Sequence, residues 1–261
     1  MEVIIVDNAE QVGRIAADKV IENLDGLVTP VLGLATGSSP LSLYAELARR
    51  SKEGLFDFSH ALGFALDEYV GIDPEHPESY RNVIHRTVVE PLGMDPNRVR
   101  VPNGFADDLQ AAADEYDEAI EAAGGVDVQI LGIGSNGHIG FNEPFSSFSS
   151  RTRVEILTAQ TREDNARFFN SLDEVPTHCM TQGLGTIMDS RVAVMVVTGE
   201  HKADAVAAMV EGPVSQVMPA SILQFHPNCI VIVDDAAASK LKYADQFRAE
   251  YELKQQLEAK A

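Results

Sequence analysis

Short apolar runs recur along the chain at residues 3–6, 31–34, 62–66, 126–131, 192–197 and 230–233. Most are continuous rather than alternating. That pattern marks strands buried on both faces, hence a parallel sheet covered by helices. The segments between them carry helical spacing. After Asn8, a candidate N-cap, the residues Val12, Ala16, Val20 and Leu24 form one apolar stripe. Leu109, Ala112, Tyr116, Ile120 and Ala123 form another, which Gly124 and Gly125 stop just before a strand. Further helices are expected from Leu41 onward, over 202–210 and over 243–260. This alternation predicts an α/β fold: a three-layer, doubly wound, Rossmann-like sandwich with a mostly parallel sheet. No repeat or linker divides the chain, so 1–261 reads as one domain. Gly132 to about Pro176 lacks the rhythm, and such irregular stretches usually serve function, so a lid is expected within 145–180.

Charge narrows the classes. The 261 residues include 20 Lys+Arg against 40 Asp+Glu, a net charge of −20. Phosphate backbones are held by clustered cations, so this balance argues against a nucleic-acid partner. No apolar run approaches the ~20 residues that span a bilayer, so no membrane partner is expected. The N-terminal MEVIIVDNAE lacks the basic region and cleavage site of a secretory signal. Cys179 and Cys229 are too few for a disulfide framework. The adjacent His178–Cys179 pair does not have metal-site spacing. The expected setting is cytoplasmic, and self-association is left open.

In a parallel sheet the loops that follow the strands gather along one edge, where ligands bind. Three of those loops hold candidate chemistry. The first is Thr36-Gly37-Ser38-Ser39-Pro40 ahead of a helix. Its hydroxyls and the free amides of a helix start suit a phosphate, but the same residues also make an unoccupied capped turn. The second is Asp67-Glu68-Tyr69-Val70-Gly71. A carboxylate directly after a buried strand is either a general base or a capping or solvated turn acid. The third runs from Gly132 to Pro144 and includes Asn136, His138 and Glu143. Gly132, Gly134 and Gly137 match the dinucleotide fingerprint formally, but Gly140 and Pro144 interrupt the helix that fingerprint needs. A histidine with a carboxylate partner is a proton-transfer unit; the alternative is a satisfied surface histidine. Arg167 and Lys202 are candidate phosphate partners or else ordinary solvated cations. Phe168 and Phe169 either close a lid or simply pack, and packing is the expectation.

The segments ATGSSP, LDEYVG, GIGSNGHIGFNEP, SSRTR, NARFF and ASILQFHP occur in this order over nearly the whole chain. In these blocks the chain closely resembles the glucosamine/galactosamine-6-phosphate isomerase family, and within it the glucosamine-6-phosphate deaminases. The resemblance implies conversion of glucosamine 6-phosphate and water to fructose 6-phosphate and ammonia, with neither metal nor organic cofactor. It implies that His138 opens the sugar ring as acid and base, assisted by Glu143 and Asn136. It makes Asp67 the base that moves the proton from C2 to C1. Thr36, Gly37, Ser38, Ser39, Arg167 and Lys202 would bind the phosphate. Some members carry Asp where Asn136 stands; Asn can orient the site but supplies no charge. Members activated by N-acetylglucosamine 6-phosphate carry Lys where this chain has Glu155. An acid facing phosphate repels it, so that regulation is not expected here. The same resemblance leaves two rivals, a 6-phosphogluconolactonase and a sugar-phosphate-binding regulator.

Overall fold

The computed structural model describes residues 1–259. The strands are β1 (Glu2–Val6), β2 (Val31–Leu34), β3 (Leu62–Ala65), β4 (Asp67–Tyr69), β5 (Val99–Arg100), β6 (Val128–Leu131), β7 (Arg153–Ile156), β8 (His178–Thr181), β9 (Val192–Val197) and β10 (Cys229–Asp234). The α-helices are α1 (Ala9–Leu24), α2 (Leu41–Lys52), α3 (Tyr80–Ile84), α4 (Glu90–Leu92), α5 (Leu109–Ala122), α6 (Ala159–Asn165), α7 (Leu184–Met188), α8 (Ala203–Glu211) and α9 (Ala244–Glu258). Helices α3 and α4 are continuous through a π turn, His85–Val89.

Seven strands form a wholly parallel sheet in the order β1-β10-β9-β6-β2-β3-β5. Its strands are the continuous apolar runs: every residue of β2, β6 and β9 is buried. The expected α/β sandwich is therefore present. Local chemistry ends the helices where the sequence suggested. Asn8 accepts from the Gln11 amide to cap α1, and Asp108 accepts from the Ala111 amide to cap α5. Past α5, Gly124 and Gly125 take φ of +90° and +84°, conformations that favour glycine. The helix expected over 243–260 runs from Ala244 to Glu258, and Lys260 lies outside the described residues. Among the described residues no helix is long and apolar enough to cross a membrane.

The irregular stretch is more ordered than its pattern suggests. A second sheet, β4-β8-β7, is antiparallel, and α6 lies between β7 and β8 in sequence. These elements are short, and β7 is half-buried along most of its length, so they leave no clear periodic signature. Residues 67–69, expected as a turn, form a strand against β8. The small sheet has its own core of Tyr69, Ile72, Phe141, Leu157 and Cys179, with Tyr80 and Phe169 packed on it. Phe169 faces Tyr69 edge-on at 5.8 Å, so its role is packing, as expected.

The strand order decides where chemistry can sit. β9, β6, β2 and β3 are consecutive neighbours. The chain leaves β2 toward β3 on one side and reaches β9 after β6 on the other. Connections that diverge in this way open a crevice at the carboxyl ends of the strands. Residues 35–40, 67, 132–144 and 198–202 all follow these four strands.

Candidate active site

One cavity collects most of the candidates. It is lined by Thr36, Gly37, Ser38 and Ser39 from the β2–α2 turn, Asp67 from β4, His138 from the loop after β6, and Arg167 and Lys202. Asn136 and Glu143 are not in its lining. They stand behind His138 instead.

Asp67 and Glu68 are both buried, but they are held differently. Glu68 accepts hydrogen bonds from the amides of Tyr69, Tyr80 and Arg81 at 2.8, 2.9 and 3.0 Å. It thereby caps the start of α3, which is the alternative weighed for this acid pair. Among the described residues no group donates to the Asp67 carboxylate, and a Cβ on Gly140 would lie 3.6 Å from its Oδ2. Burial, with the Glu68 charge adding to it, pushes the Asp67 carboxyl up to about 8.

The histidine loop is built around close contacts. A Cβ on Gly134 would come within 2.3 Å of the His138 ring, so only glycine lets the imidazole lie against this backbone. Gly137 has φ +86°, and its carbonyl accepts from the Ala220 amide at 2.9 Å. The ASILQFHP segment thus braces the loop from outside. Behind the ring, His138 Nδ1 stands 3.7 Å from Glu143 Oε2, an ion-pair rather than a hydrogen-bond distance. Asn136 Nδ2 donates to the same Glu143 oxygen at 2.6 Å, and Asn136 Oδ1 accepts from the His138 amide at 3.2 Å. Thr158 supplies its amide and hydroxyl to Glu143 Oε1, each at 3.2 Å. Burial would raise the Glu143 carboxyl, but His138, Thr161 and Asn136 outweigh it and hold it at about 2. Asn136 does by hydrogen bonding what its uncharged amide allows: it ties the imidazole's backbone to the imidazole's counter-ion.

At the other candidate cluster, Gly37 turns the chain at φ +90°, and Pro40 opens α2 without any side-chain cap on its amides. Those amides suit an anion. The Arg167 guanidinium lies over the Phe168 ring, 4.7 Å from its centre. Burial lowers the Lys202 ammonium below its usual range, with Asp164 opposing the shift. Tyr80, Phe141, Thr161, Asp164 and Asn165 also line the cavity, and the sequence reading did not single them out. Phe141 falls within the histidine loop. Thr161, Asp164 and Asn165 lie on α6, whose seven residues carry no apolar stripe to reveal it.

A helix-start turn with free amides, a buried aspartate and a histidine backed by a carboxylate share one cavity at the ligand edge of the α/β sheet, an arrangement suited to acid–base chemistry on a small anionic substrate. The chain belongs to the family described as glucosamine-6-phosphate isomerases/6-phosphogluconolactonase, whose sequence model matches residues 7–231. Among its relatives is the glucosamine-6-phosphate deaminase of Pseudarthrobacter chlorophenolicus, 57% identical over 97% of this chain and 98% of the relative. The glucosamine-6-phosphate deaminase of Cutibacterium acnes is 58% identical over 95% of each. A solved structure of a monomeric glucosamine-6-phosphate deaminase superposes with a TM-score of 0.89 at 39% identity, covering 92% of this chain and 99% of that one. The 6-phosphogluconolactonase of Trypanosoma cruzi, at TM-score 0.73 and 16% identity over 92% of this chain and 97% of its own, shares the fold.

Proposed function

We infer that the chain catalyses the isomerising deamination of glucosamine 6-phosphate to fructose 6-phosphate and ammonia. The reading is supported by relatives of that activity at 57% and 58% identity over nearly the full length. The observation that carries the chemistry is the sharing of one cavity by Asp67, His138 and the Thr36–Ser39 turn. In this reading His138 takes the proton from O1 of the cyclic sugar and returns one to O5, opening the ring. Glu143 stands behind the imidazole as its carboxylate partner, and Asn136 ties that carboxylate to the His138 backbone. Asp67 then removes the proton from C2 and delivers it to C1, and the imine left at C2 is hydrolysed to release ammonia. The base must be ionised for this step. A substrate ammonium near Asp67 favours the ionised carboxylate. Phosphate held by Thr36, Gly37, Ser38, Ser39, Arg167 and Lys202 keeps the carbons in reach of Asp67.

The whole chain acts as one domain in the cytoplasm, with a lid within 145–180 that carries Arg167. In regulated members N-acetylglucosamine 6-phosphate is held by basic residues after the catalytic loop, where this chain keeps Arg153, but the contacts of Arg153 oppose such activation. Arg153 is spent on Glu155, on Ser146 Oγ at 3.0 Å and on Asn142 Oδ1 at 2.9 Å. The deciding assay follows ammonia from glucosamine 6-phosphate, with 6-phosphogluconolactone as a parallel substrate. Ammonia and fructose 6-phosphate are expected in equal amounts, without acceleration by N-acetylglucosamine 6-phosphate. Lactone hydrolysis without ammonia release would overturn the assignment.

A further inference from the structure

Asp164 is an acid in a place that should hold only cations. It lines the catalytic cavity together with Arg167, Lys202 and the Thr36–Ser39 turn. The same three charged residues also line an adjoining outer cavity of about 560 Å³, with Ser135, Asn136, Gln160 and His201. They therefore form the wall between the two spaces. The carboxylate is fixed there: Ser135 Oγ donates to Oδ2 at 2.7 Å and Gln160 Nε2 donates to Oδ1 at 2.9 Å. Among the described residues these partners are a hydroxyl and an amide, not a cation. Its field is thus not cancelled by a contact ion pair. Burial would raise the carboxyl, but these two bonds and the charges of Lys202 and His138 keep it below its usual range, so it is ionised at neutral pH.

We propose that Asp164 sets the strength of the phosphate-binding end: its fixed negative charge weakens the grip of Arg167 and Lys202 on phosphate and so keeps substrate and product exchangeable. This rests on reading that end of the cavity as the phosphate site. A phosphate dianion arriving there meets two cations and one anion, and like charges at this range repel appreciably in a partly desolvated wall. Substrate and product carry the same phosphate, so grip added here is uniform binding; it slows release without helping the chemical step.

The test is the dissociation constant of inorganic phosphate for the full chain, by calorimetric titration at fixed ionic strength. Asp164→Asn keeps an acceptor for Ser135 and removes the charge, while its amide nitrogen replaces the oxygen that accepts from Gln160. It is expected to tighten phosphate about three- to thirty-fold, with the gain shrinking as salt is raised. Ser135→Ala keeps the charge and removes the tether, and is expected to leave the constant nearly unchanged. Unchanged or weaker binding in Asp164→Asn overturns the proposal. So does equal tightening in Ser135→Ala, which would trace the effect to a loosened tether. Lys202→Ala separates the two layers of inference. If it does not weaken phosphate, the anion binds elsewhere and the reading of the site fails, whatever Asp164 does.

Discussion

Asp67 lines the cavity and Glu143 stands behind His138, and at 5% and 4% exposure both residues are buried. Their carboxyls nonetheless move apart, one up to about 8 and the other down to about 2. Burial pushes both carboxyls up, most strongly Asp67, and what opposes it differs. Glu143 accepts from Asn136 and twice from Thr158 and faces an imidazole, whereas Asp67 accepts from no group among the described residues and neighbours the acid Glu68. The imidazole partner and the hydrogen bonds to the ionised form decide the direction for Glu143. The contrast also divides labour. A carboxylate held ionised makes a permanent counter-charge for a histidine, while one whose charge is unfavourable is readily protonated and suits a base that must accept a proton.

The largest test removes the unsatisfied partner. Asp67→Asn keeps the shape of the β3–β4 junction and abolishes the base. We expect kcat to fall about 10³-fold while substrate affinity stays within a few-fold. In the unaltered enzyme kcat/KM should rise with pH toward about 8, because Asp67 works only when ionised. Steady-state kinetics across pH check both, and normal turnover in Asp67→Asn would remove that residue from the chemistry.

The histidine side is tested through the space that holds the imidazole. His138→Ala should cost about 10²-fold on the cyclic sugar and less on an open-chain analogue, since only the former needs ring opening. Gly134→Ala should reproduce that split with all catalytic groups present, because its methyl would occupy the place of the ring. Equal losses on both substrates would place His138 outside the opening step.

A third perturbation should leave the contrast untouched. Lys202→Ala or Arg167→Ala is expected to raise KM about tenfold with little change in kcat, since phosphate binding is common to ground and transition states. The pH at which kcat/KM rises should stay where it was. A moved midpoint would mean that the phosphate end and Asp67 are electrostatically coupled.

How much of this was legible beforehand follows from where the signal resides. Buried parallel strands write themselves as continuous apolar runs, so the large sheet and its ligand edge were readable, and with them the positions of Asp67 and the Thr36–Ser39 turn. The small sheet was not. β4 has three residues, two of them acids, and its identity as a strand depends on pairing with β8 more than a hundred residues later. For the same reason Glu68 and Asp67 could not be told apart: the amides that satisfy Glu68 come mainly from Tyr80 and Arg81, which only the fold brings near. Asp164 escaped notice because its partner Ser135 belongs to a loop packed against α6 only in three dimensions.

The smallest effect is on stability, and its sign differs for the two carboxylates. An unfolded Asp67 titrates near 3.8 and the folded one near 8, so the folded state binds the extra proton between these values. Its contribution is fully favourable below about pH 4 and is lost as pH rises toward 8. Glu143 runs the other way. Its folded carboxyl at about 2 lies under the ordinary 4.5, so its contribution is present above about pH 4.5 and is lost as pH falls toward 2. Thermal melts of Asp67→Asn and Glu143→Gln should therefore depart from the parent in opposite directions at neutral to alkaline pH and converge with it in acid. Asp67→Asn should gain roughly 5 °C at pH 8 and little at pH 4, the gain reflecting a charge no longer forced into the protein. Glu143→Gln should lose stability near neutral pH and approach the parent as the medium turns acid. If both variants shifted in the same direction at the same pH, the two environments would not be opposed, and the division of labour drawn from them would lose its physical basis.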